Sequence, residues 1–86
     1  MADRIQTYSD FVISAQGVRY RVHADGERDE LGNWRGWLTF EEVAGGGRVL
    51  QTERETTQPE RDALVYWATG LEPIYLDGAL GRAVSA

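Results

Sequence analysis

The sequence contains no cysteine, and each of its nine basic residues is an arginine. The absence of cysteine excludes disulfide bonds, thiolate zinc sites, iron–sulfur clusters and a cysteine nucleophile. It is also compatible with a reducing compartment, so we expect the protein to be cytoplasmic. The absence of lysine leaves arginine as the only strongly basic side chain available to a binding site.

Long hydrophobic runs are also missing. The longest uninterrupted apolar stretch is a few residues, too short to cross a membrane, and the N-terminal residues lack the apolar core of a secretory signal. We therefore expect no membrane partner. With 86 residues, of which 42% are hydrophobic, the chain predicts one globular domain over residues 1–86, with a core over about 9–84.

Alternation of apolar and polar residues predicts the strands. Residues 11–15 are rich in strand formers, Gln16 and Gly17 offer a turn, and residues 18–24 alternate with a period of two. These segments predict a β-hairpin with Val18, Tyr20 and Val22 facing the core. We expect residues 1–8 to form a polar lead-in and residues 25–33 a loop.

Two further strands are predicted. Residues 34–41 form the third, in which Gly36 is a candidate β-bulge, and residues 48–55 form the fourth. The three glycines at 45–47 separate them as a flexible turn. Residues 57–60 match the capping-box pattern, with Thr57 as N-cap and Glu60 at N3. This pattern predicts a helix over residues 58–69.

The helical stripe of that segment contains Leu64, Trp67, Ala68 and Leu71, and Pro73 begins a second, weaker helix that reaches about Ala83. Strands come first and helices follow. This order predicts an α+β fold, an antiparallel three- to four-stranded meander followed by a capped helix packing on one sheet face and a short C-terminal helix.

No catalytic, metal or cofactor site emerges from the residue pattern. His23 is the only histidine, and on the outer side of a strand we expect it to be solvated. The acidic residues of the segment 25–30 fail the calcium-loop pattern, because Glu30 stands where glycine is required. The three-glycine segment precedes a strand rather than the helix that a phosphate cradle needs. We therefore expect a protein without enzymatic activity.

Aromatic and basic residues on the outer side of the sheet are the candidate binding site. Trp34 and Trp37 are three positions apart, so a regular strand points them to opposite faces. The outward tryptophan needs cover from residues 71–84, from a second copy of the chain or from a partner, unless a bulge at Gly36 turns both rings inward. The candidate binding residues on this face are Arg19, Arg21, His23, Arg35 and Trp37.

The register of the fourth strand decides the charge of the outer face. If Val49 points inward, Arg48 and Arg54 join that face and make it strongly basic. If Leu50 points inward, Gln51, Glu53 and Glu55 point outward and neutralise it. We favour Leu50 inward, because it is the larger apolar side chain.

Two functions follow as hypotheses. The first is a small protein-interaction or regulatory module, acting on a protein partner or as a homodimer. The second is a single-stranded nucleic-acid module that uses Arg19, Arg21, Arg35 and Trp37. The net charge of −5 repels polyanions at long range and disfavours the second.

Overall fold

The computed structural model describes residues Met1–Ala86 as one antiparallel sheet with two helices on one of its faces. The strands are β1 (Asp3–Ile13), β2 (Arg19–Arg28), β3 (Trp34–Glu42), β4 (Val49–Gln51), β5 (Thr56–Gln58) and β6 (Val84–Ser85), and the helices are α1 (Arg61–Thr69) and α2 (Pro73–Leu80). The sheet order is β1-β2-β3-β4-β6, and β5 pairs with another stretch of β3. The predicted α+β meander followed by helices is confirmed.

The first hairpin is much longer than the sequence pattern indicates. β1 begins at Asp3, and β2 continues to Arg28, so the expected polar lead-in and the first part of the expected loop are strand. The prediction was wrong because polar residues also occupy a strand when one face of the sheet is open. Here Arg4 and Asp25 are cross-strand partners on the open face, where a polar pair is compatible with the ladder.

Glycines of β2 and β3, near the turn that joins these strands, allow a close approach of α1. Gly26 and Gly36 are direct cross-strand partners in an uninterrupted β2–β3 register, so the candidate bulge at Gly36 is absent. A Cβ atom added at Gly26 would lie 2.3 Å from Leu64 Cδ2, and one at Gly36 would lie 2.6 Å from Leu64 Cδ1. The glycine pair is therefore a depression that receives the Leu64 side chain.

The predicted fourth strand is broken in two. β4 and β5 are separated by residues 52–55, where Thr52 makes a local connection to β3. The Thr52 amide donates to the Leu38 carbonyl at 3.0 Å, and its hydroxyl accepts from the Leu38 amide at 3.0 Å. Leu50 lies opposite Phe40, which faces the core, so the preferred inward orientation of Leu50 is correct.

The start of the first helix differs from the prediction. α1 begins at Arg61 with Glu60 as N-cap and no side-chain capping bond, while Thr57 is in β5 opposite Arg35. The capping box is therefore not formed, because pairing with β3 holds Thr57 in an extended conformation. The second helix begins at Pro73 as expected and ends at Leu80.

Residues from the sheet and both helices form the core. Tyr8 connects the two layers, since its hydroxyl donates to the Ala68 carbonyl at 2.6 Å. Leu64 is fully buried but packs on the glycine pair, apart from the main cluster. That cluster consists of Tyr8, Val12, Tyr20, Val22, Ala24, Leu38, Phe40, Ala68, Leu76 and Ala79. Neither helix is long and apolar enough to cross a membrane.

Candidate functional site on the outer sheet face

The face of the sheet opposite the helices carries all five candidate binding residues. Alternation along β2 places Arg19, Arg21 and His23 on it, and the β2–β3 register adds Arg35 and Trp37 from the neighbouring strand. Both helices pack on the other face, because their buried residues share a cluster with the inward residues of β2 and β3. The five residues therefore share one face, but their surroundings differ along the strands.

The end of this face nearest the β2–β3 turn is occupied by ion pairs. Asp25 is 6% exposed, and its carboxylate accepts from Arg4 Nε at 2.9 Å and from Thr39 Oγ1 at 2.6 Å. Arg35 donates to Glu27 at 3.0 Å, so its charge is already paired. The hydrogen bond and charge of Asp25 raise the pKa of Arg4. We call Arg4, Asp25, Glu27, Arg35 and Thr39 the ion-paired end.

His23 lies in the middle of the face and is 4% exposed, so the expectation of a solvated histidine was wrong. Its Nδ1 is 2.9 Å from Thr7 Oγ1 on β1, and its Nε2 contacts a carboxylate oxygen of Glu41 on β3. Glu41 also lies 3.6 Å from Arg4 Nη1. Neighbours on both adjacent strands therefore enclose the imidazole.

The order hydroxyl, imidazole, carboxylate gives Thr7, His23 and Glu41 the connectivity of a proton relay. When the neutral ring carries its hydrogen on Nε2, it donates to Glu41 and accepts from Thr7. The three grooves on the surface are lined by other residues, so no concavity holds a substrate beside Thr7. Together these contacts hold β1, β2 and β3 to one another. No three metal-ligating side chains converge anywhere in the chain.

Trp37 is half-buried on this face, while Trp34 lies on the helix side, where the Arg61 guanidinium is 5.8 Å from its ring centre. The expectation that the two rings point to opposite faces is correct. Residues 73–80 of α2 pack on the other face and give Trp37 no cover. Trp37 Nε1 is buried without a hydrogen-bond partner, which costs about 1–3 kcal/mol.

The opposite end of the face, near the β1–β2 turn, is apolar and exposed. Phe11 and Ile13 of β1 lie opposite Arg21 and Arg19 of β2, and Val49 of β4 lies opposite Glu41. Ile13 is 62% exposed and Val43, just beyond β3, is 43% exposed. We call this surface the Phe11 patch; it consists of Phe11, Ile13, Arg19, Arg21, Val43 and Val49.

The two arginines of the Phe11 patch make no ion pair with any carboxylate. The guanidinium of Arg21 lies 4.6 Å from the centre of the Phe11 ring, and that of Arg19 lies 5.5 Å from it. A guanidinium stacked on a ring keeps its N–H groups available at its edge. These two guanidinium groups are therefore held over the Phe11 ring and have no carboxylate partner.

An open groove of about 420 Å³ continues the patch. It shares Arg19 and Val43 with the patch and is completed by Gly17, Val18, Glu42 and Ala44. The positive φ of Gly17, 83°, forms the tight turn at one side of the groove. The apolar surface and the groove together form a continuous area, since they share Arg19 and Val43.

Sequence reasoning missed the apolar half of this site and the partners of His23. The pattern Phe11, Val12, Ile13 already places its first and third residues on one face, which was the available signal. Arg4, Thr7 and Asp25 were missed because residues 1–8 and 25–33 were assigned outside the strands. No protein-family model, curated protein or solved structure matches this chain.

Proposed function

We propose that the protein is a small interaction module without catalytic activity, and that it binds a protein partner through the Phe11 patch. The main support is the difference in charge pairing between the two ends of the outer sheet face. The charges at the ion-paired end already have partners, whereas the Phe11 patch exposes four apolar side chains around two free arginines. Exposed apolar surface with a polar surround is typical of protein–protein contact sites. We expect the module to act in the cytoplasm.

The alternative, single-stranded nucleic-acid binding, has less support. Such surfaces combine a basic groove along the backbone with several aromatic rings for base stacking. Of the candidate residues, Arg35 is paired with Glu27, His23 is enclosed and Trp37 is half-buried. Two free arginines remain on a chain of net charge −5.

Site-specific photo-crosslinking in the source cell tests the proposed surface. A photoreactive phenylalanine at Val49, on the rim of the patch, is expected to give an adduct with a discrete protein. The matched control is the same group at Leu31, which is 86% exposed at the opposite end of the β2–β3 hairpin. The adduct should disappear when Phe11→Ser is added to the Val49 probe.

Equal adducts at both positions, or an adduct that survives Phe11→Ser, would place binding elsewhere. An adduct between two copies of this chain, with a dimer detected by light scattering, would identify the homodimer as the occupant instead. Each of these results would contradict the binding of a separate protein partner through the Phe11 patch.

A further inference from the structure

We infer that the segment bound by the Phe11 patch is acidic and extended, with carboxylates at alternating positions that pair with Arg19 and Arg21. This inference rests on the proposed function and names the chemistry of the partner. It follows from three features of the patch: the state of its arginines, its small area and its position in the sheet.

The arginines are arranged for bidentate carboxylate binding. Stacking on Phe11, at 4.6 Å for Arg21 and 5.5 Å for Arg19, restricts both guanidinium groups before a ligand arrives. Planar guanidinium edges match carboxylate oxygens in pairs, and such bonds are roughly twice as strong as neutral ones. Restricting the side chains in advance lowers the entropic cost of binding.

The spacing of the arginines selects the spacing of the acids. Arg19 and Arg21 are two positions apart on one face of β2, so their Cα atoms are separated by about 6.7 Å. An extended peptide presents every second side chain to the same side with that same repeat. Glutamates at alternate positions therefore reach both arginines, with Phe11 and Ile13 of β1 on one flank and Glu41 and Val43 on the other, and with Val49 beyond Glu41.

No nearby carboxylate forms an ion pair with either arginine. Glu41, the acid on the same row as Arg21, is in contact with His23 and lies 3.6 Å from Arg4. Asp10, exposed beside Phe11 in the chain, forms no ion pair. Neither guanidinium group has a carboxylate within 4.0 Å, so both can accept a carboxylate from a partner.

The area of the patch favours a short segment over a second copy of the chain. A stable protein interface takes about 800 Å² and 20–30 residues from each partner. The Phe11 patch has six residues, and beyond it the same face is occupied by the enclosed His23 and the ion-paired end. A single extended segment, continued into the adjoining groove, matches this smaller area.

Fluorescence anisotropy with the complete protein and short labelled peptides tests the inference. The probes alternate glutamate with valine, glutamine with valine, or lysine with valine. We expect the glutamate peptide to bind at least about tenfold more tightly than the glutamine peptide, and the lysine peptide not to bind. Raising the salt concentration should weaken binding of the glutamate peptide, because Arg19 is exposed and Arg21 is only partly buried.

The double variant Arg19→Gln/Arg21→Gln is expected to lower the affinity for the glutamate peptide at least about tenfold. Arg54→Gln is the control, since Arg54 is exposed, unpaired and remote from the patch, beside Arg82 and Val84. Circular dichroism and the thermal midpoint should be unchanged in both variants, because no arginine concerned is buried.

Equal affinity for the glutamate and glutamine peptides, or no binding of the glutamate peptide up to about 1 mM, would overturn the acidic partner. Tighter binding of a single-stranded thymidine oligonucleotide than of the glutamate peptide would overturn it in favour of nucleic acid. The crosslinking at Val49 separates the two proposals. If that adduct depends on Phe11 while the peptides fail, the surface is correct and only the acidic chemistry is wrong.

Discussion

The two ends of the outer sheet face are built from the same strands but are stabilised in opposite ways. At the ion-paired end, Asp25 is buried and receives hydrogen bonds from Arg4 and Thr39. At the Phe11 patch, the arginines stack on an exposed ring and pair with no carboxylate. The comparison shows that charged side chains on this face can contribute to the stability of the fold, whereas apolar side chains on the same face remain exposed.

The reverse side of the sheet reinforces this difference. Gly26 follows Asp25 in β2, and Leu64 of α1 packs directly on it. The ion-paired end is therefore held from both faces. Variants at that end should lower stability, and variants in the patch should lower binding of the proposed partner.

Asp25→Ala is expected to have the largest effect. It leaves the buried Thr39 hydroxyl without its acceptor and removes the carboxylate that Arg4 hydrogen-bonds, which should lower the free energy of unfolding by about 2–4 kcal/mol. Urea denaturation measures this loss in the free energy of unfolding. The control is Glu27→Ala, whose pair with Arg35 is exposed to solvent and should contribute about 0–1 kcal/mol. Equal losses in the two variants would contradict the contrast between buried and exposed pairs.

Gly26→Ala tests how the packing of Leu64 on the helix side of the sheet supports the ion-paired end. The added Cβ meets Leu64 Cδ2 at 2.3 Å and the Arg35 carbonyl oxygen at 3.1 Å, so overpacking should cost about 1–3 kcal/mol. Thermal unfolding gives the measurement. Gly46→Ala is the control: its nearest neighbour is the end of the flexible Glu42 side chain in an exposed turn, and that side chain can move away. A stable Gly26→Ala protein would mean that Leu64 repacks freely.

Tyr8→Phe removes the hydrogen bond from β1 to α1 and leaves the ion pairs of β1 intact. Losing the hydrogen bond to Ala68 should cost about 1 kcal/mol at neutral pH. Burial raises the pKa of Tyr8 to about 12, from the ordinary value of 10.0. The folded protein thus holds the proton more tightly, so this stabilisation is complete below pH 10 and is lost as the pH rises through about 12.

Urea unfolding at a series of pH values from neutral to about 11.5 checks this dependence, and the Tyr8→Phe variant should show the shallower decline. Some decline should remain, because burial and the hydrogen bond with Glu55 also raise the pKa of Tyr75. Arg4 stays charged throughout, since its pKa is raised. Parallel curves for the variant and the unmodified protein would contradict the role given to Tyr8.

Phe11→Ser should have the smallest effect on stability. The side chain is 39% exposed and two guanidinium groups lie over its ring on the open face of the sheet, so we expect a change of about 0.5 kcal/mol or less. The thermal midpoint is the measurement, made beside the crosslinking described above. Val12→Ser, its buried neighbour, is the contrasting control and should unfold far more readily. A loss at Phe11 as large as that at Val12 would make the patch part of the core.

Much of the fold could be predicted from local patterns. The alternation over residues 18–24 correctly gave the inward side chains Tyr20 and Val22, and the helical stripe gave the buried Leu64 and Ala68. The capping box failed because Thr57 pairs with β3, a partner distant in sequence. Local propensity is overridden where such pairing offers the backbone other hydrogen bonds.

The candidate site was predicted less completely. The sequence by itself determined which residues of β2 and β3 would share the face opposite the helices, since alternation assigns each residue to a side of the sheet. Only the tertiary structure decided which of their charges would be free, because Arg4 and Asp25 meet across 21 positions and Glu41 reaches His23 across 18. Such meetings depend on the register between strands, and no single segment contains that information.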